Sequence, residues 1–192
     1  MKKVGILALQ GDFEAHAKTL AKLGAEPVLV RSADGLEGLD GLVIPGGEST
    51  TMLKLLNAEK LLPPLAEFGR RRPIFGTCAG AILLASEVSH PPQESLGLLD
   101  IGVERNGYGR QLDSRVAHVT PEDDFEARTH SGDMEAVFIR APIIRRVGAQ
   151  ARVLARYQGH PVLVEQGPHL AATFHPELTA DERVHELFLS KL

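Results

Sequence analysis

The sequence predicts an α/β protein of three layers, in which a central mixed sheet has helices on both faces. In the first half of the chain, short apolar runs that suit buried strands alternate with stretches of helical periodicity. In the second half, apolar runs follow one another with only Gly, Pro and Asp turns between them, which favours antiparallel strands. Since 192 residues show no linker or repeat, we expect one domain over residues 1–192.

The elements of the first half are predicted by buried runs and by the residues that end them. The run at 4–9 ends at Gln10-Gly11-Asp12, and apolar residues then recur at helical spacing as far as Gly24. Repeated strand–helix units predict parallel strands. Further strands are expected at 27–30, 42–44 and 73–75, and further helices from Ser49 or Thr50, over 59–68 with a break at Pro63-Pro64, and over 81–85.

In the second half, Gly159-His160 resembles a hairpin tip between two strands. A final amphipathic helix is predicted over 181–189, with Val184, Leu187 and Phe188 facing inward. The expected strands are 96–105, 115–119, 136–139, 152–157, 161–165 and 170–174.

Charge and cysteine content exclude several classes of protein. With 21 Lys and Arg against 25 Asp and Glu, the net charge of -4 argues against a nucleic-acid binder, and Arg70-Arg71-Arg72 is interpreted as a solvated loop. The single cysteine, Cys78, cannot form a disulfide within the chain, and it excludes a zinc site of the CxxC type. No apolar run approaches the roughly 20 residues of a membrane span, so we expect a cytoplasmic protein.

The segment Gly76-Thr77-Cys78-Ala79-Gly80 follows a predicted strand and precedes a predicted helix. This is the pattern of a nucleophile elbow with cysteine in place of serine. Its glycines permit a sharp turn, and the helix N-terminus favours a thiolate. The amide of Ala79 then points to where an oxyanion would form. The alternative is that Cys78 is a buried small hydrophobe.

A thiol nucleophile needs a base, and His175-Pro176-Glu177 offers one at the end of a predicted strand. Residues two apart in an extended stretch point the same way, so Glu177 can reach the His175 ring. A turn with an incidental ion pair is the alternative. We interpret most of the other seven histidines as surface or capping residues without a suitably placed acid: His16, His90, His118, His130, His160, His169 and His185.

The loop Pro45-Gly46-Gly47-Glu48-Ser49 follows another predicted strand. Its two glycines let backbone N–H groups approach a ligand, and they are candidates to complete an oxyanion hole with Ala79. A plain tight turn is the alternative. The chain has no Gly-x-x-x-x-Gly-Lys phosphate loop, and Asn106-Gly107-Tyr108-Gly109 lacks the third glycine of a dinucleotide fingerprint.

Together these segments resemble the class I, triad-type glutamine amidotransferases, and more narrowly the PdxT/SNO family of pyridoxal 5'-phosphate synthase glutaminase subunits. The discriminating signals are Leu7-Ala8-Leu9-Gln10-Gly11 and Arg105-Asn106-x-x-Gly109-Arg110-Gln111. One departure is Arg115 after Ser114, where the family pattern has an aromatic residue; it bears on packing or partner contact. The resemblance covers nearly the whole chain and implies a flavodoxin-like fold.

The resemblance also implies a reaction, the release of ammonia from L-glutamine without a cofactor or metal. Cys78 would be the nucleophile, His175 would move the proton and Glu177 would orient His175. The Gly47 and Ala79 amides would form the oxyanion hole. The glutamine-binding positions implied by the resemblance are Gly46, Gly47, Glu48, Arg105, Ile139 and Arg140.

The implied partner is a TIM-barrel synthase subunit that builds pyridoxal 5'-phosphate, in a large hetero-oligomer expected to be a dodecamer of heterodimers. The Gln10-Gly11 loop is a candidate for the part that this partner reorganises. Three alternatives stay open: a glutaminase that serves another ammonia acceptor, a cysteine peptidase or DJ-1-like protein on a similar scaffold, and a regulatory subunit without turnover.

Overall fold

A mixed sheet of nine strands lies at the centre of the structure, which is a computed structural model that describes residues 1–106 and 115–192. A smaller sheet of three strands lies beside it within the same described residues. The strands are β1 (Lys3–Leu7), β2 (Glu26–Val30), β3 (Gly41–Ile44), β4 (Ile74–Thr77), β5 (Ala85–Ser89), β6 (Leu99–Glu104), β7 (Arg115–Pro121), β8 (Met134–Phe138), β9 (Ile143–Val147), β10 (Arg152–Tyr157), β11 (His160–Gln166) and β12 (His169–Ala172).

The large sheet has the order β2-β1-β3-β4-β12-β11-β10-β7-β8. Its strands β2, β1, β3, β4 and β12 are parallel, whereas β11, β10, β7 and β8 continue it in antiparallel fashion. The predicted mixed sheet is therefore confirmed, except that β12, which the sequence grouped with the antiparallel strands, is parallel to β4.

Helices cover both faces of the large sheet, so the predicted three layers are also confirmed. One core cluster joins the sheet to α2, α3 and α4 through residues such as Met52, Leu65 and Ile82, and the other joins it to α1, α5 and α6 through Leu20, Phe125 and Phe188. None of the helices in the two described stretches is long and apolar enough to cross a membrane. The helices are α1 (Phe13–Lys22), α2 (Ser49–Ala58), α3 (Leu62–Arg71), α4 (Ala79–Leu84), α5 (Asp123–Arg128) and α6 (Arg183–Leu189).

Several element predictions were wrong in detail. Pro63 and Pro64 begin α3 instead of breaking it, because the first turn of a helix needs no N–H donor there. Arg70 and Arg71 end that helix and pair with Glu67, so they do not belong to a loop. The strands β5 and β9 and the helix α5 were not predicted.

The hairpin between β10 and β11 also differs from its prediction by one residue. Tyr157 pairs with His160, and Gln158 and Gly159 form the turn with positive φ angles of 50° and 78°. Two successive residues with positive φ are the mark of a type I′ turn, which suits the twist of the strands.

The positions Gly107 to Ser114 lie outside the described residues, and the Gly109-Arg110-Gln111 part of the family signal lies among them.

Candidate active site

Cys78 lies at the sharp turn between β4 and α4, with a φ of 50° and a ψ of -107°. This backbone conformation is strained for any residue other than glycine, and it is typical of functional sites. The flanking glycines are required by close packing. A Cβ at Gly76 would lie 2.5 Å from the carbonyl carbon of Gly80, and a Cβ at Gly80 would lie 2.1 Å from the backbone oxygen of Ile44. The structure thus contains the elbow that the sequence predicts.

His175 and Glu177 follow β12, the strand next to β4 in the large sheet. The amide of His175 donates to the backbone oxygen of Val137, and Pro176–Leu178 form a 3-10 turn. Within this turn His175 Nδ1 and Glu177 Oε1 are 2.7 Å apart, and both residues are buried. The carboxylate is therefore placed to orient the ring by a short hydrogen bond.

The three residues Cys78, His175 and Glu177 form one connected cluster. Gly46 lies against both Cys78 and His175, since a Cβ at this position would lie 3.2 Å from Cβ of Cys78 and 2.5 Å from Cε1 of His175. Burial lowers the pKa of His175, but hydrogen bonds and charge interactions with Cys78 and Glu177 outweigh it and raise the pKa to about 10. The ring therefore carries a proton at neutral pH, which it can give to a departing amine.

The glycine loop after β3 packs tightly against this cluster. A Cβ at Gly46 would lie 2.5 Å from Cε1 of His175, and Gly47 has a φ of 133°. Gln10 Nε2 donates to the backbone oxygen of Glu48 at 2.7 Å, and a Cβ at Gly11 would lie 2.0 Å from the backbone oxygen of Gly46. The opening loop and the glycine loop are therefore packed directly on one another.

A cavity of about 610 Å³ opens over the thiol. Its volume is in the range of small-molecule sites. The cavity brings together Cys78, His175 and all of the predicted glutamine-binding positions. Ala79, Gln10 and Glu177 do not line it. The lining is Gly11, Asp12, Gly46, Gly47, Glu48, Ser49, Cys78, Ile82, Arg105, Asn106, Ile139, Arg140 and His175.

Glu48 caps α2 as well as lining the cavity. Its carboxylate accepts hydrogen bonds from the amides of Thr50 and Thr51 at 2.9 and 2.7 Å. Partial burial raises the pKa of Glu48, but these bonds outweigh it and lower the pKa to about 2. Arg105 lies 3.8 Å from the same carboxylate and donates to the hydroxyl of Thr50 at 2.6 Å. One wall of the cavity thus carries a fixed pair of opposite charges.

Ile139 and Arg140, which follow β8, also line the cavity. The backbone oxygen of Ile139 lies 3.8 Å from Sγ of Cys78, so it is close enough to accept a weak hydrogen bond from the thiol. Arg140 has a positive φ of 45°. This strained residue therefore adds a cationic side chain to the cavity lining.

The prediction that His16 and His185 are surface or capping residues was wrong. Both are fully buried, and Nε2 of His16 lies 3.3 Å from Oε2 of Glu177. Helical spacing could have shown this, because His16 falls on the same face of α1 as Phe13 and Leu20. His169 is buried too, whereas His90, His118 and His130 are exposed as predicted.

Asp12 is a further acid at the cavity that the sequence did not single out as a site residue. Ligand-type atoms of Asp12, His175 and Glu177 lie within 4.8 Å of one another, a spacing that is compatible with a metal ion. However, His175 Nδ1 and Glu177 Oε1 are already bonded to each other. The arrangement therefore fits an orienting pair better than a set of free ligands.

The model of the SNO glutamine amidotransferase family matches residues 6–192. The chain belongs to this family. Its relatives include proteins named "Pyridoxal 5'-phosphate synthase subunit PdxT" from Solibacter usitatus and Koribacter versatilis. The first is 65% identical over the full length of both chains, and the second is 54% identical over 97% of this chain and 94% of the relative.

A solved structure described as a glutamine amidotransferase is 46% identical to this SNO family chain, with a TM-score of 0.88 over 98% of this chain and 97% of the other. The fold is shared more widely. A chain in the structure of PurLQS from Thermotoga maritima is only 16% identical, yet it superposes with a TM-score of 0.75 over 98% of this chain and 98% of the other. At that identity the likeness shows the fold alone, so it adds nothing about the substrate.

Proposed function

We propose that this protein hydrolyses L-glutamine to L-glutamate and ammonia as the glutaminase subunit of a pyridoxal 5'-phosphate synthase, and that residues 1–192 act as one domain. The observation that carries the proposal is that Cys78 and His175 line one cavity and that Glu177 is bonded to His175, in a chain of this family. Family membership disfavours the peptidase alternative, and the presence of all three side chains disfavours an inactive regulatory subunit.

The first half of the reaction forms a thioester. Sγ of Cys78 attacks the side-chain amide carbon of glutamine, and the carbonyl oxygen takes up negative charge. The backbone amides of Gly47 and Ala79 are proposed to stabilise this oxyanion. His175 then gives its proton to the amide nitrogen, the C–N bond breaks, and ammonia leaves.

The second half hydrolyses the thioester. His175 is now neutral and accepts a proton from a water molecule as that water attacks the thioester carbon. The C–S bond breaks, glutamate leaves, and the thiol and the ring return to their starting state. The carboxylate of Glu177 stabilises the positive charge on the ring.

Recognition of glutamine is assigned to the charged walls of the cavity. Glutamine carries both an α-carboxylate and an α-ammonium group, so a site with carboxylate and guanidinium groups can fix its orientation. Arg105 and Arg140 supply cations, and Glu48 supplies an anion. Gly46, Gly47 and Ile139 supply close backbone surface.

The proposed partner is a synthase subunit with a TIM-barrel fold, in a dodecamer of heterodimers, and the proposed location is the cytoplasm. Ammonia must pass to this partner before it is protonated or escapes. The Gln10-Gly11 loop packs on Gly46 and Gly47, so a partner that moves this loop would reach the oxyanion hole directly.

The test measures glutamate release from glutamine by the wild type, Cys78→Ala and Gln10→Ala, each with and without the synthase subunit. Cys78→Ala should abolish turnover at an unchanged melting temperature, because it removes the nucleophile and little volume. Gln10→Ala should alter the activation ratio if the loop transmits partner binding; an unchanged ratio would remove that role.

Full activity of Cys78→Ala would refute the mechanism. Pull-down with the synthase subunit separates the remaining alternative from the proposal. A glutaminase that serves another ammonia acceptor would hydrolyse glutamine but fail to bind or supply the pyridoxal 5'-phosphate synthase.

A further inference from the structure

Two buried histidines lie directly behind the carboxylate of Glu177. His16 comes from α1 and His185 from α6, and both side chains are fully buried. His16 Nε2 lies 3.3 Å from Oε2 of Glu177, and His16 Nδ1 lies 2.9 Å from Nε2 of His185. The ring of Phe75 meets both imidazoles edge-on, at centroid distances of 6.2 and 5.7 Å, which holds them in place. A line of polar atoms therefore runs from the thiol through the triad into the core.

The chemistry of the carboxylate fixes the proton on His16. An ionised carboxylate only accepts hydrogen bonds, and Oε1 of Glu177 already faces Nδ1 of His175. Oε2 is buried and has no well-aligned hydrogen bond within the described residues, and His16 Nε2 lies 3.3 Å from it. The nitrogen that faces it must carry the hydrogen, since a bare lone pair there would repel the negative charge.

The positions of the other protons in this line of hydrogen bonds follow from that assignment. A neutral imidazole protonated at Nε2 has a bare Nδ1, so His16 must accept from His185 Nε2–H. His185 is then bare at Nδ1, and this atom is buried without a hydrogen-bond partner among the described residues. The opposite assignment would bury an unpaired N–H on His185 and also turn a lone pair of His16 towards Glu177. With the hydrogen of His16 on Nε2, neither the unpaired N–H nor the repulsive lone pair arises.

The surroundings keep both rings neutral. Burial, and then the charges of His185 and His175, lower the pKa of His16 well below its ordinary value. Burial lowers the pKa of His185 to about 4, although the charge of Glu182 opposes this. The titratable groups that face the pair are thus Glu177, His175 and Glu182, and Thr77 places its hydroxyl 3.4 Å from His16 Nε2.

We propose that His16 is a positioning residue that holds Glu177 through its second oxygen, and that His185 fixes the tautomer in which His16 can do so. With Oε2 held from behind, Oε1 is aimed at Nδ1 of His175, and the other ring nitrogen is aimed at Cys78. This inference rests on the proposed roles of Cys78, His175 and Glu177. It adds to the triad a fourth and a fifth residue, neither of which touches substrate.

The kinetic test compares His16→Leu with His16→Gln, whose side-chain amide can still donate near the position of Nε2. The matched control is His169→Leu, which removes a buried histidine that bonds to the amide of Ile74 and has no recorded bond to the triad. With the synthase subunit present, His16→Leu should lower kcat about tenfold, part of the roughly 10²- to 10⁴-fold that a positioned proton-transfer group contributes. KM should change less than about twofold, because His16 does not line the cavity. His16→Gln should recover part of the loss, and His169→Leu should leave kcat unchanged.

A second readout needs no partner and no glutamine. Cys78 is the single cysteine of the chain, so the rate of alkylation by iodoacetamide reports this thiol alone. The pH midpoint of alkylation should shift in His16→Leu, because the charge of His175 is no longer supported by a fixed carboxylate. It should not shift in His169→Leu. A purely structural role of His16 would lower the melting temperature of the variant and leave the midpoint in place.

Nitrogen-15 spectra of the imidazole rings in the wild-type full chain test the tautomers directly. We expect both His16 and His185 to be neutral and protonated at Nε2 at pH 7. Protonation of His16 at Nδ1 would overturn the proposal, and so would a folded His16→Leu with wild-type kcat and alkylation midpoint. If His16→Leu does not fold, the spectra decide alone. If the wild type and its synthase subunit release no glutamate, the proposed function fails while the spectra still test the hydrogen-bond chain.

Discussion

Gly46 shows how a single hydrogen in place of a side chain shapes the site. A Cβ at this position would lie 2.5 Å from Cε1 of His175 and 3.2 Å from Cβ of Cys78. Atoms cannot approach so closely, so any larger residue must displace either the imidazole or the loop. The glycine is therefore needed for the contact between the proposed oxyanion loop and the proposed base.

We expect Gly46→Ala to lower kcat for glutamine hydrolysis at least about tenfold, since a displacement of about 1 Å in a reacting group costs up to about 10²-fold in rate. Stability should change little by comparison, because the side of the cavity can yield. The measurement is steady-state glutaminase activity with the synthase subunit, beside a thermal melt. Gly35→Ala is the control, because its added methyl would meet only the side chain and backbone of Val30, at 3.3 Å or more, away from the cavity. Equal activity of both variants would contradict this account.

The roles of the site residues could be predicted where one short segment of sequence contains every residue that the role needs. Gly76 to Gly80 shows its turn, its nucleophile and its helix together, and His175 and Glu177 are two residues apart. His16 was missed because its partner, Glu177, is 161 positions along the chain from it, and only the fold brings them within 3.3 Å. A histidine on an apolar helix face predicts burial, but it cannot predict which distant group it will meet.

At the scale of elements, α2 connects stability to the site through its cap. Glu48 satisfies the amides of Thr50 and Thr51, which are free donors at the start of the helix. We expect Glu48→Ala to lower the free energy of unfolding by about 1 kcal/mol at pH 7. Glu59→Ala at the other end of α2 is the matched control, and it should be neutral or slightly stabilising because a negative charge there opposes the helix dipole.

The pH dependence of this effect has a definite sign. The pKa of Glu48 is lowered from 4.5 to about 2 in the folded protein, so its contribution is present above pH 4.5 and is lost as the pH falls towards 2. The side chain is 59% exposed, so solvent screening keeps the contribution small. Urea unfolding of the wild type and both variants at pH 7 and at pH 3 checks this. A difference between wild type and Glu48→Ala that does not shrink at pH 3 would contradict the cap as its source.

The elements that were predicted wrongly or not at all have different physical causes. The strands β5 and β9 belong to the small sheet, and β5 carries the exposed or half-buried Ser86, Glu87 and Val88, so it lacks the continuous apolar run of a buried strand. The helix α5 has only six residues with Phe125 as its one buried residue, too short for a helical period. The prolines of α3 were misread because their effect depends on position within the helix.

At the scale of the whole molecule, one strand pairing assembles the site. The parallel pair β4 and β12 sets Thr77 opposite Ala172, so the elbow and the segment with His175 leave the sheet at the same edge. The sequence predicted strands at 73–75 and 170–174, but it grouped the second with the antiparallel strands. It could not show that β12 inserts beside β4, because the segments are almost a hundred residues apart. The fold class could therefore be predicted from local patterns, whereas this adjacency is known only from the structure.

The buried histidines also make the free energy of unfolding of the whole protein depend on pH. The pKa of His185 is lowered to about 4 in the folded protein, and that of His16 is lowered as well, while an unfolded histidine titrates near 6.5. The unfolded chain therefore binds more protons as the pH falls below 6.5, and stability declines until the folded rings titrate. His175 adds nothing in this window, because its raised pKa of about 10 leaves it protonated in both states below pH 6.5.

We expect the free energy of unfolding to fall as the pH is lowered from 6.5 towards 4, by up to about 1.4 kcal/mol per pH unit for each proton that the unfolded chain binds and the folded chain does not, and His185 to account for part of this fall. Urea unfolding at half-unit steps of pH measures the slope. His185→Leu should be less stable than the wild type at pH 7. Its free energy of unfolding should nevertheless fall less steeply with falling pH, because it has no ring at this position that takes up a proton on unfolding. His118→Leu, at an exposed position, should keep the wild-type slope. An equal slope in wild type and His185→Leu would mean that His185 is already charged in the folded core, and this would contradict the neutral ring that we expect at this position.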